Sequence, residues 1–360
     1  MSNIHNTMDA LKIITSVLTL ISGVGIFLIA CSMMSSGLET LGGGKLKTLL
    51  SKASKSKLAG VGIGAAATAV IQSSSATSVT VIGFVNAGIM TLAQAATVIF
   101  GANIGTTVTG QLVAVGLLGD SAISASVIFG AFAGIGAFIS TLAKRDKTKC
   151  IGGVISGFGM LFVGLSMMSG AMSHFSELNA VKIFLSTFEN PLLSVLIGAV
   201  LTAVIQSSSA MTTMTITMVV SGLVSLNQGI YLTMGANIGT CATALLAGFG
   251  GTKNAKRAAL IHLIFNVSGV AVFVILGAML RIWQIDYGRL FAMIPPNAPQ
   301  LQLAAFHTVF NVTTALIVLP FTNTLVKLVT AIIPENANSS RKPKSSRRIR
   351  SRISRRANPE

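Results

Sequence analysis

A stretch of nine residues, Thr68-Ala-Val-Ile-Gln-Ser-Ser-Ser-Ala76, recurs without change as Thr202-Ala-Val-Ile-Gln-Ser-Ser-Ser-Ala210. A second motif, Gly101-Ala-Asn-Ile-Gly-Thr106, recurs as Gly235-Ala-Asn-Ile-Gly-Thr240. Both pairs are separated by the same 134 positions. A register that holds over this distance without an insertion indicates that the chain is a duplicated unit.

The surroundings of both copies are apolar and uncharged. Hydrophobic residues make up 52% of the 360 residues and charged residues 10%, against roughly 25% charged residues in a typical soluble domain. Residues 58–119 and 190–252 contain no Asp, Glu, Lys or Arg. Such stretches are typical of membrane proteins. The composition excludes a collagen, a disordered chain, a disulfide scaffold and an ordinary cytosolic enzyme.

The net charge of +17 is concentrated in a few short segments. Residues 335–360 carry nine basic side chains and two acids, and further basic clusters lie at 45–57, 144–149 and 253–257. These clusters lie between apolar segments, which is typical of cytoplasmic loops and not of a nucleic-acid-binding face. We expect a multi-pass protein of the plasma membrane with a cytoplasmic C-terminus. The tail 335–360 is predicted to be disordered, and either binds anionic lipid headgroups or is solvated and only fixes the orientation.

Nine apolar segments are predicted to be helical and long enough to reach across a bilayer core of about 30 Å. They are 11–40, 58–90, 91–118, 121–143, 148–175, 190–222, 225–250, 256–280 and 302–332. Two of them, 58–90 and 190–222, carry four polar side chains in a row at their middle. Because such a run is costly in lipid, we expect two re-entrant hairpins with broken helices and the polar run at the tip.

The charges predict an inverted repeat within an all-α polytopic membrane fold. With the clusters 45–57 and 144–149 inside, the turn at 117–122 lies outside, whereas the matching turn of the second copy, 253–257, is basic and lies inside. The copies are then antiparallel, as in many secondary transporters. We divide the chain into repeat 1 (1–143), repeat 2 (144–290), a final helix with its preceding loop (291–334) and the tail (335–360).

One N-terminal segment, Leu28-Ile-Ala-Cys31, resembles the end of a bacterial lipoprotein signal. The next residues, Ser32-Met-Met34, recur as Ser166-Met-Met168 at the same separation of 134. Because this segment has a partner deep in the chain, we expect a retained helix.

The two polar motifs predict a site for an oxyanion. Hydroxyl and amide donors can hold phosphate oxygens, and helix N-termini at a break add partial positive charge. For a single serine, close helix contact in the membrane is the preferred interpretation; the repetition of the whole motif favours a function. The predicted substrate-binding residues are Gln72, Ser73, Ser74, Ser75, Gln206, Ser207, Ser208 and Ser209.

A coupling cation is expected because neither uncharged stretch holds a Lys or Arg that could balance a bound phosphate. The repeated Gly-Ala-Asn-Ile-Gly-Thr motif offers oxygen ligands, and its glycines permit unwound backbone. The predicted sodium ligands are Asn103, Thr106, Asn237 and Thr240. We expect no other metal and no cofactor.

Paired Gln-Ser-Ser-Ser motifs in an inverted repeat resemble the type II sodium-dependent phosphate cotransporter family over residues 11–330. The resemblance implies sodium-coupled movement of inorganic phosphate by alternating access, with the motifs at the substrate and sodium sites. Bacterial members often carry a PhoU-like C-terminal domain, whereas this chain ends in a short basic tail; the direction of flux stays open. The alternatives are sodium-coupled transport of another oxyanion and a non-transporting sensor or scaffold. The sequence contains no plausible catalytic triad or carboxylate pair, so we expect no enzyme.

Two histidines, His262 and His307, each precede an asparagine by four positions on one predicted helix face. We expect buried polar pairs that lock two helices. A proton or substrate role is the alternative. A metal site is less favoured because no Cys, Asp or Glu accompanies the histidines.

Overall fold

The computed structural model describes residues 2–42, 48, 56–118, 125–187, 189–293 and 295–335. None of these residues lies in a strand. Parts of the predicted loops at 45–57 and 117–122 and nearly all of the tail 335–360 lie outside the described residues. The helices are α1 Ser2–Gly42, α2 Lys57–Ile71, α3 Ser74–Asn86, α4 Leu92–Gly116, α5 Ala125–Leu142, α6 Asp146–Glu177, α7 Asn179–Ser186, α8 Pro191–Ile205, α9 Ser208–Val220, α10 Leu226–Gly239, α11 Cys241–Phe249, α12 Lys253–Ile282, α13 Tyr287–Phe291, α14 Pro299–Val318 and α15 Thr322–Ile332, with a 3₁₀ turn at Leu319–Phe321.

Six helical spans within the described residues are long and apolar enough to cross a membrane. They are Ala10–Gly42, Leu92–Gly116, Asp146–Ser176, Leu226–Phe249, Lys253–Ile282 and Pro299–Ile332. The helices α2, α8 and α9 and most of α5 are apolar as well but shorter. The prediction of an all-helical, multi-pass membrane protein is confirmed.

The two copies have the same local structure. The helices α2 and α3 have the same lengths as α8 and α9, and each pair is offset by 134 residues. In both copies the chain breaks at the glutamine of the motif, which adopts a left-handed conformation with φ of 59° at Gln72 and 58° at Gln206. Such a backbone is uncommon for a residue other than glycine. Because both copies adopt it, the predicted break is a property of the motif.

Close packing sets the direction of the first arm of each hairpin. A Cβ atom added at Gly101 would lie 1.9 Å from the carbonyl oxygen of Val61, and the equivalent distance from Gly235 to Val195 is 2.0 Å. No side chain fits in that space, so α2 and α8 approach α4 and α10 as closely as backbones allow. Further along α4, the side chain of Gln72 reaches Thr109.

The second arm of the first hairpin returns toward the beginning of α4. Val81 and Val85 of α3 share a buried cluster with Ala95 and Val98 of α4. At the end of this arm the Oδ1 of Asn86 accepts a hydrogen bond of 2.8 Å from the backbone N–H of Thr252. The polar run therefore lies at the tip of a helical hairpin. The antiparallel arrangement of the two copies stays a prediction.

A basic cluster at the start of α12 fixes the end of α15. Arg257 is buried, and its Nη1 lies 2.8 Å from a carboxylate oxygen of Glu335 while its Nε donates to the carbonyl of Ile333 at 3.0 Å. Lys253 also donates to the carbonyl of Pro334. The beginning of the basic tail is thus attached to the start of α12, which the charge pattern predicts to be cytoplasmic.

Aromatic side chains hold α14 in the core. Phe306 and Phe310 lie with ring centroids 5.9 and 4.9 Å from that of Phe273 on α12. The hydroxyl of Tyr287 donates to the carbonyl of Phe273 at 2.7 Å. This packing buries His307, which lies between the two phenylalanines in the sequence and is 1% exposed.

Candidate functional site

Each hairpin tip presents free donors at a helix N-terminus. Ser73 and Ser207 are N-caps, and their hydroxyl oxygens accept from the backbone N–H of Ala76 and Ala210 at 3.1 and 3.2 Å. Within the described residues the next two hydroxyls of each motif make no hydrogen bond, and the first backbone N–H groups of a helix have no intrahelical partner. These hydroxyls belong to Ser74, Ser75, Ser208 and Ser209. The arrangement can hold an oxyanion with neutral donors.

The two glutamines of the motifs have different surroundings. Gln72 is buried; its Oε1 accepts from the hydroxyl of Thr109 at 2.9 Å, and its Nε2 donates to the carbonyl of Ala69 at 2.6 Å. Gln206 is exposed. The counterpart of Thr109 in the second copy is Thr243, whose hydroxyl is buried and has no partner within the described residues. One tip is therefore closed onto its neighbouring helix and the other is open.

A second difference between the tips follows from one sequence change. In the first hairpin the hydroxyls of Thr68 and Thr77 are joined by a hydrogen bond of 3.0 Å between the two arms. Met211 occupies the position of Thr77 in the second copy. The hydroxyl of Thr202 is consequently buried without a partner among the described residues, and the second hairpin lacks this link between its arms.

The predicted sodium ligands lie on α4 and at the end of α10. The hydroxyls of Thr106 and Thr240 donate to carbonyls one turn earlier in their helices, at 3.1 and 3.0 Å, which leaves oxygen lone pairs for a cation. Asn103 donates to the carbonyl of Ile99 at 2.9 Å, and its Oδ1 accepts no bond from the described residues. Asn237 is engaged differently, in a network with α14. The helix is interrupted at Thr240 but continues through Thr106.

A buried polar network joins α10 to α14. Asn237 Nδ2 donates to Asn311 Oδ1 at 2.9 Å, and Asn237 Oδ1 lies 3.3 Å from His307 Nε2. The amide of Asn311 also donates to the carbonyl of His307 at 2.9 Å. On α12, Asn266 donates to the Sγ of Cys241 at 3.4 Å. The asparagine of each pair therefore bonds to a neighbouring helix. His307 takes part through its ring, whereas neither ring nitrogen of His262 has a partner among the described residues.

One segment of α4 brings these features together. Thr109 bonds to Gln72, and the Nε2 of Gln111 donates to the hydroxyl of Thr308 on α14 at 3.0 Å. Between them, a methyl group added at Gly110 would lie 3.7 Å from the Cγ2 of Thr212. Thr212 is one helical turn beyond Ser208. The first tip and the helix that starts at the second tip thus meet the same turn of α4.

Sequence reasoning did not include three residues of this meeting point: Thr109, Gln111 and Thr212. A signal existed for the first, because Thr109 and Thr243 are repeat counterparts that follow the Gly-Ala-Asn-Ile-Gly-Thr motif by three positions. Thr212 corresponds to Ser78, and both hydroxyls are buried without a partner among the described residues. Gln111 has no equivalent signal, since its partner is 197 residues away.

Comparison with protein families gives two matches along the chain. Residues 26–170 and 166–293 each match the family described as Na+/Pi-cotransporter. The two matched stretches together extend over more than half of the chain and agree with the duplication. No solved structure matches the chain.

Three relatives illustrate the range of the similarity. The chain is 31% identical over 309 residues to "Uncharacterized protein YqeW" of Bacillus subtilis, which covers 86% of this chain and 95% of that protein. It is 28% identical over 320 residues to "Putative inorganic phosphate export protein YjbB" of Escherichia coli, covering 88% of this chain and 56% of that longer protein. The chain is also 38% identical over 85 residues to "Sodium-dependent phosphate transport protein 2B" of Homo sapiens. This match covers 22% of this chain and 12% of that protein. The chain belongs to the Na+/Pi-cotransporter family.

Proposed function

We propose that this protein is a secondary transporter that couples sodium ions to the movement of inorganic phosphate by alternating access. The observation that carries the proposal is the pair of hairpin tips, each with two free serine hydroxyls at a helix N-terminus, in stretches without Lys or Arg. Neutral donors of this kind hold the oxygens of a tetrahedral anion. They leave its charge unbalanced, so a co-bound cation is needed.

The relatives support phosphate as the substrate. One is named for phosphate export and another for sodium-dependent phosphate transport. The first name states export and the second states no direction, so uptake and efflux are measured separately.

We assign the coupling sodium to the oxygens of Asn103, Thr106, Asn237 and Thr240. The free Oδ1 of Asn103 and the lone pairs of the two threonine hydroxyls are suitable ligands for a hard cation. The Oδ1 of Asn237 has a second lone pair for the ion beside its contact with His307. Phosphate is assigned to the two motifs, with Ser73 and Ser207 holding the helix starts in place.

Flux of radiolabelled phosphate through proteoliposomes tests this function. The full chain is reconstituted, and uptake and efflux are measured with a sodium gradient and with choline in its place. We expect flux only with sodium, and a strong loss in Ser75→Ala and Ser209→Ala. Ser173→Ala serves as the matched control, because its hydroxyl is exposed on α6 and donates only to its own helix. Equal phosphate flux in sodium and choline would refute the coupling, and no flux above empty liposomes would refute phosphate transport.

A further inference from the structure

The hydrogen bonds around His307 determine which of its ring nitrogens carries the proton. A carbonyl oxygen only accepts, so the amide nitrogen of Asn311 faces the His307 carbonyl and the amide oxygen of Asn311 faces Asn237. Asn237 therefore uses its nitrogen as the donor to Asn311 and turns its oxygen toward His307 Nε2, 3.3 Å away. Because that oxygen also only accepts, Nε2 carries the hydrogen, and in the neutral ring Nδ1 is a lone-pair acceptor.

This acceptor is buried and has no partner in the part of the chain that the structure describes. His307 is 1% exposed, and Nδ1 makes no hydrogen bond to any described residue. It faces Gly110, where an added methyl group would lie 3.6 Å from Nδ1. A buried polar atom without a partner loses the full free energy of its hydration. Such an atom in a working site calls for a ligand that supplies the missing donor.

The position of Nδ1 relates it to the hairpin tips. Gly110 follows Thr109, which bonds to Gln72 of the first tip. The same added methyl group would touch Thr212, whose buried hydroxyl has no partner in the described part of the chain either. In the second copy the position of Gly110 is occupied by Ala244. A histidine acceptor thus lies against the one turn of α4 that both tips approach, and the residue there has no side chain to cover it.

The hairpin tips offer donors to an oxyanion, so an acceptor beside them would determine which oxyanion binds. Serine hydroxyls and backbone N–H groups donate to the bare oxygens of any tetrahedral oxyanion, so they do not separate phosphate from sulfate. Near neutral pH phosphate carries one or two protons and sulfate carries none. An acceptor is satisfied by a P–OH group and is repelled by a bare oxygen. Sites built around a substrate hydroxyl reject analogues that lack it far more strongly than sites that discriminate by size.

We propose that His307 Nδ1 accepts the hydroxyl proton of bound phosphate and so makes the site selective for protonated tetrahedral oxyanions over sulfate. The inference rests on the proposed function and narrows its substrate class. His307 is held for this role by Asn237 and Asn311, which keep its proton on Nε2.

Three variants separate this role from simple packing. Gly110→Ala leaves the histidine network intact and covers Nδ1 with a methyl group at ordinary van der Waals distance. His307→Gln keeps a polar group near the Nε2 position and has no acceptor near that of Nδ1, whereas His307→Asn places an amide oxygen near Nδ1. Gly134→Ala on α5 is the control for the glycine change, because its added methyl group would meet nothing within 4 Å.

The measurement is labelled phosphate flux in proteoliposomes, with unlabelled phosphate, arsenate or sulfate as competitors. In the wild type and Gly134→Ala we expect competition by arsenate, which is protonated like phosphate, and none by a hundredfold excess of sulfate. In Gly110→Ala and His307→Gln we expect the half-saturating phosphate concentration to rise at least about tenfold and sulfate to compete. His307→Asn is expected to keep the wild-type selectivity.

The outcomes distinguish the inference from the function on which it rests. If sulfate inhibits phosphate flux in the wild type as strongly as unlabelled phosphate does, the role of His307 is overturned and phosphate transport is unaffected. Unchanged selectivity in Gly110→Ala and His307→Gln does the same. A variant can insert into the membrane without transporting. For such a variant, the selectivity is measured as the rise in Tm of the purified protein with phosphate compared with the rise with sulfate. Absence of any phosphate flux in the wild type refutes the proposed function itself.

Discussion

Replacing Thr109 by valine measures how much the hydrogen bond from Thr109 to Gln72, present among the described residues only at the closed hairpin tip, contributes to stability. Valine has the shape of threonine without the hydroxyl, so the packing is retained and one hydrogen bond is lost. The Oε1 of Gln72, in a residue that is 8% exposed, then has no partner. The expected cost is about 1–3 kcal/mol, the range for a buried polar group left unsatisfied. The cost lowers the free energy of unfolding of the conformation described above, in which Gln72 bonds to Thr109.

The same change at the repeat counterpart is the matched control. The hydroxyl of Thr243 is buried without a partner among the described residues, so Thr243→Val removes an unsatisfied group and costs nothing in this conformation. Thermal unfolding of the purified protein in a mild detergent compares both variants with Thr109→Ser, which keeps the hydroxyl. We expect Thr109→Val to unfold at a lower temperature than the other two. If both valine variants, or Thr109→Val and Thr109→Ser, lower the unfolding temperature equally, the hydrogen bond from Thr109 to Gln72 does not account for the difference between the two tips.

Three further outcomes follow from the repeat. Gly101→Ala is expected to lower the unfolding temperature in the same assay by several degrees, because its Cβ would lie 1.9 Å from a backbone oxygen of α2. Gln72→Ala and Gln206→Ala are each expected to abolish most phosphate flux, normalised to inserted protein, since one substrate is held by both tips; a loss of half in each would indicate two independent sites. Cysteines introduced at Asp120, which lies outside the described residues, and at Asn254 are expected to react with an impermeant thiol reagent from opposite sides of the membrane, and labelling from one side would exclude an antiparallel repeat.

The broken hairpins could be predicted because their cause is local. Four polar residues within an apolar stretch, of which the first is the glutamine that ends one helix and the second is the serine that caps the next, define a helix end and a helix start at any place in a fold. The exchange of Thr77 for Met211 is visible in the aligned copies, whereas the hydrogen bond between Thr68 and Thr77 is seen only in the structure. These features depend on residues fewer than ten positions apart.

The state of each tip could not be predicted, because identical sequences occupy different surroundings. The nonapeptide is the same in both copies, yet Gln72 is buried and Gln206 is exposed. What differs is the neighbouring helix: α4 continues to Thr109 and beyond, whereas α10 ends at Gly239, before Thr243. The contact of His307 with Asn237 spans 70 residues and was likewise hidden. The short helices α7 and α13 were missed because they lie in polar connections between apolar segments.

The unequal glutamines mean that a single chain holds the same nonapeptide in two different surroundings. A rearrangement that released Gln72 from Thr109 and brought Gln206 to Thr243 would break one amide–hydroxyl bond and form an identical one. The hydrogen-bond energies then cancel, however strong each bond is. In such a rearrangement this pair of bonds would favour neither position, and a small bound ion or anion would then be sufficient to decide between them.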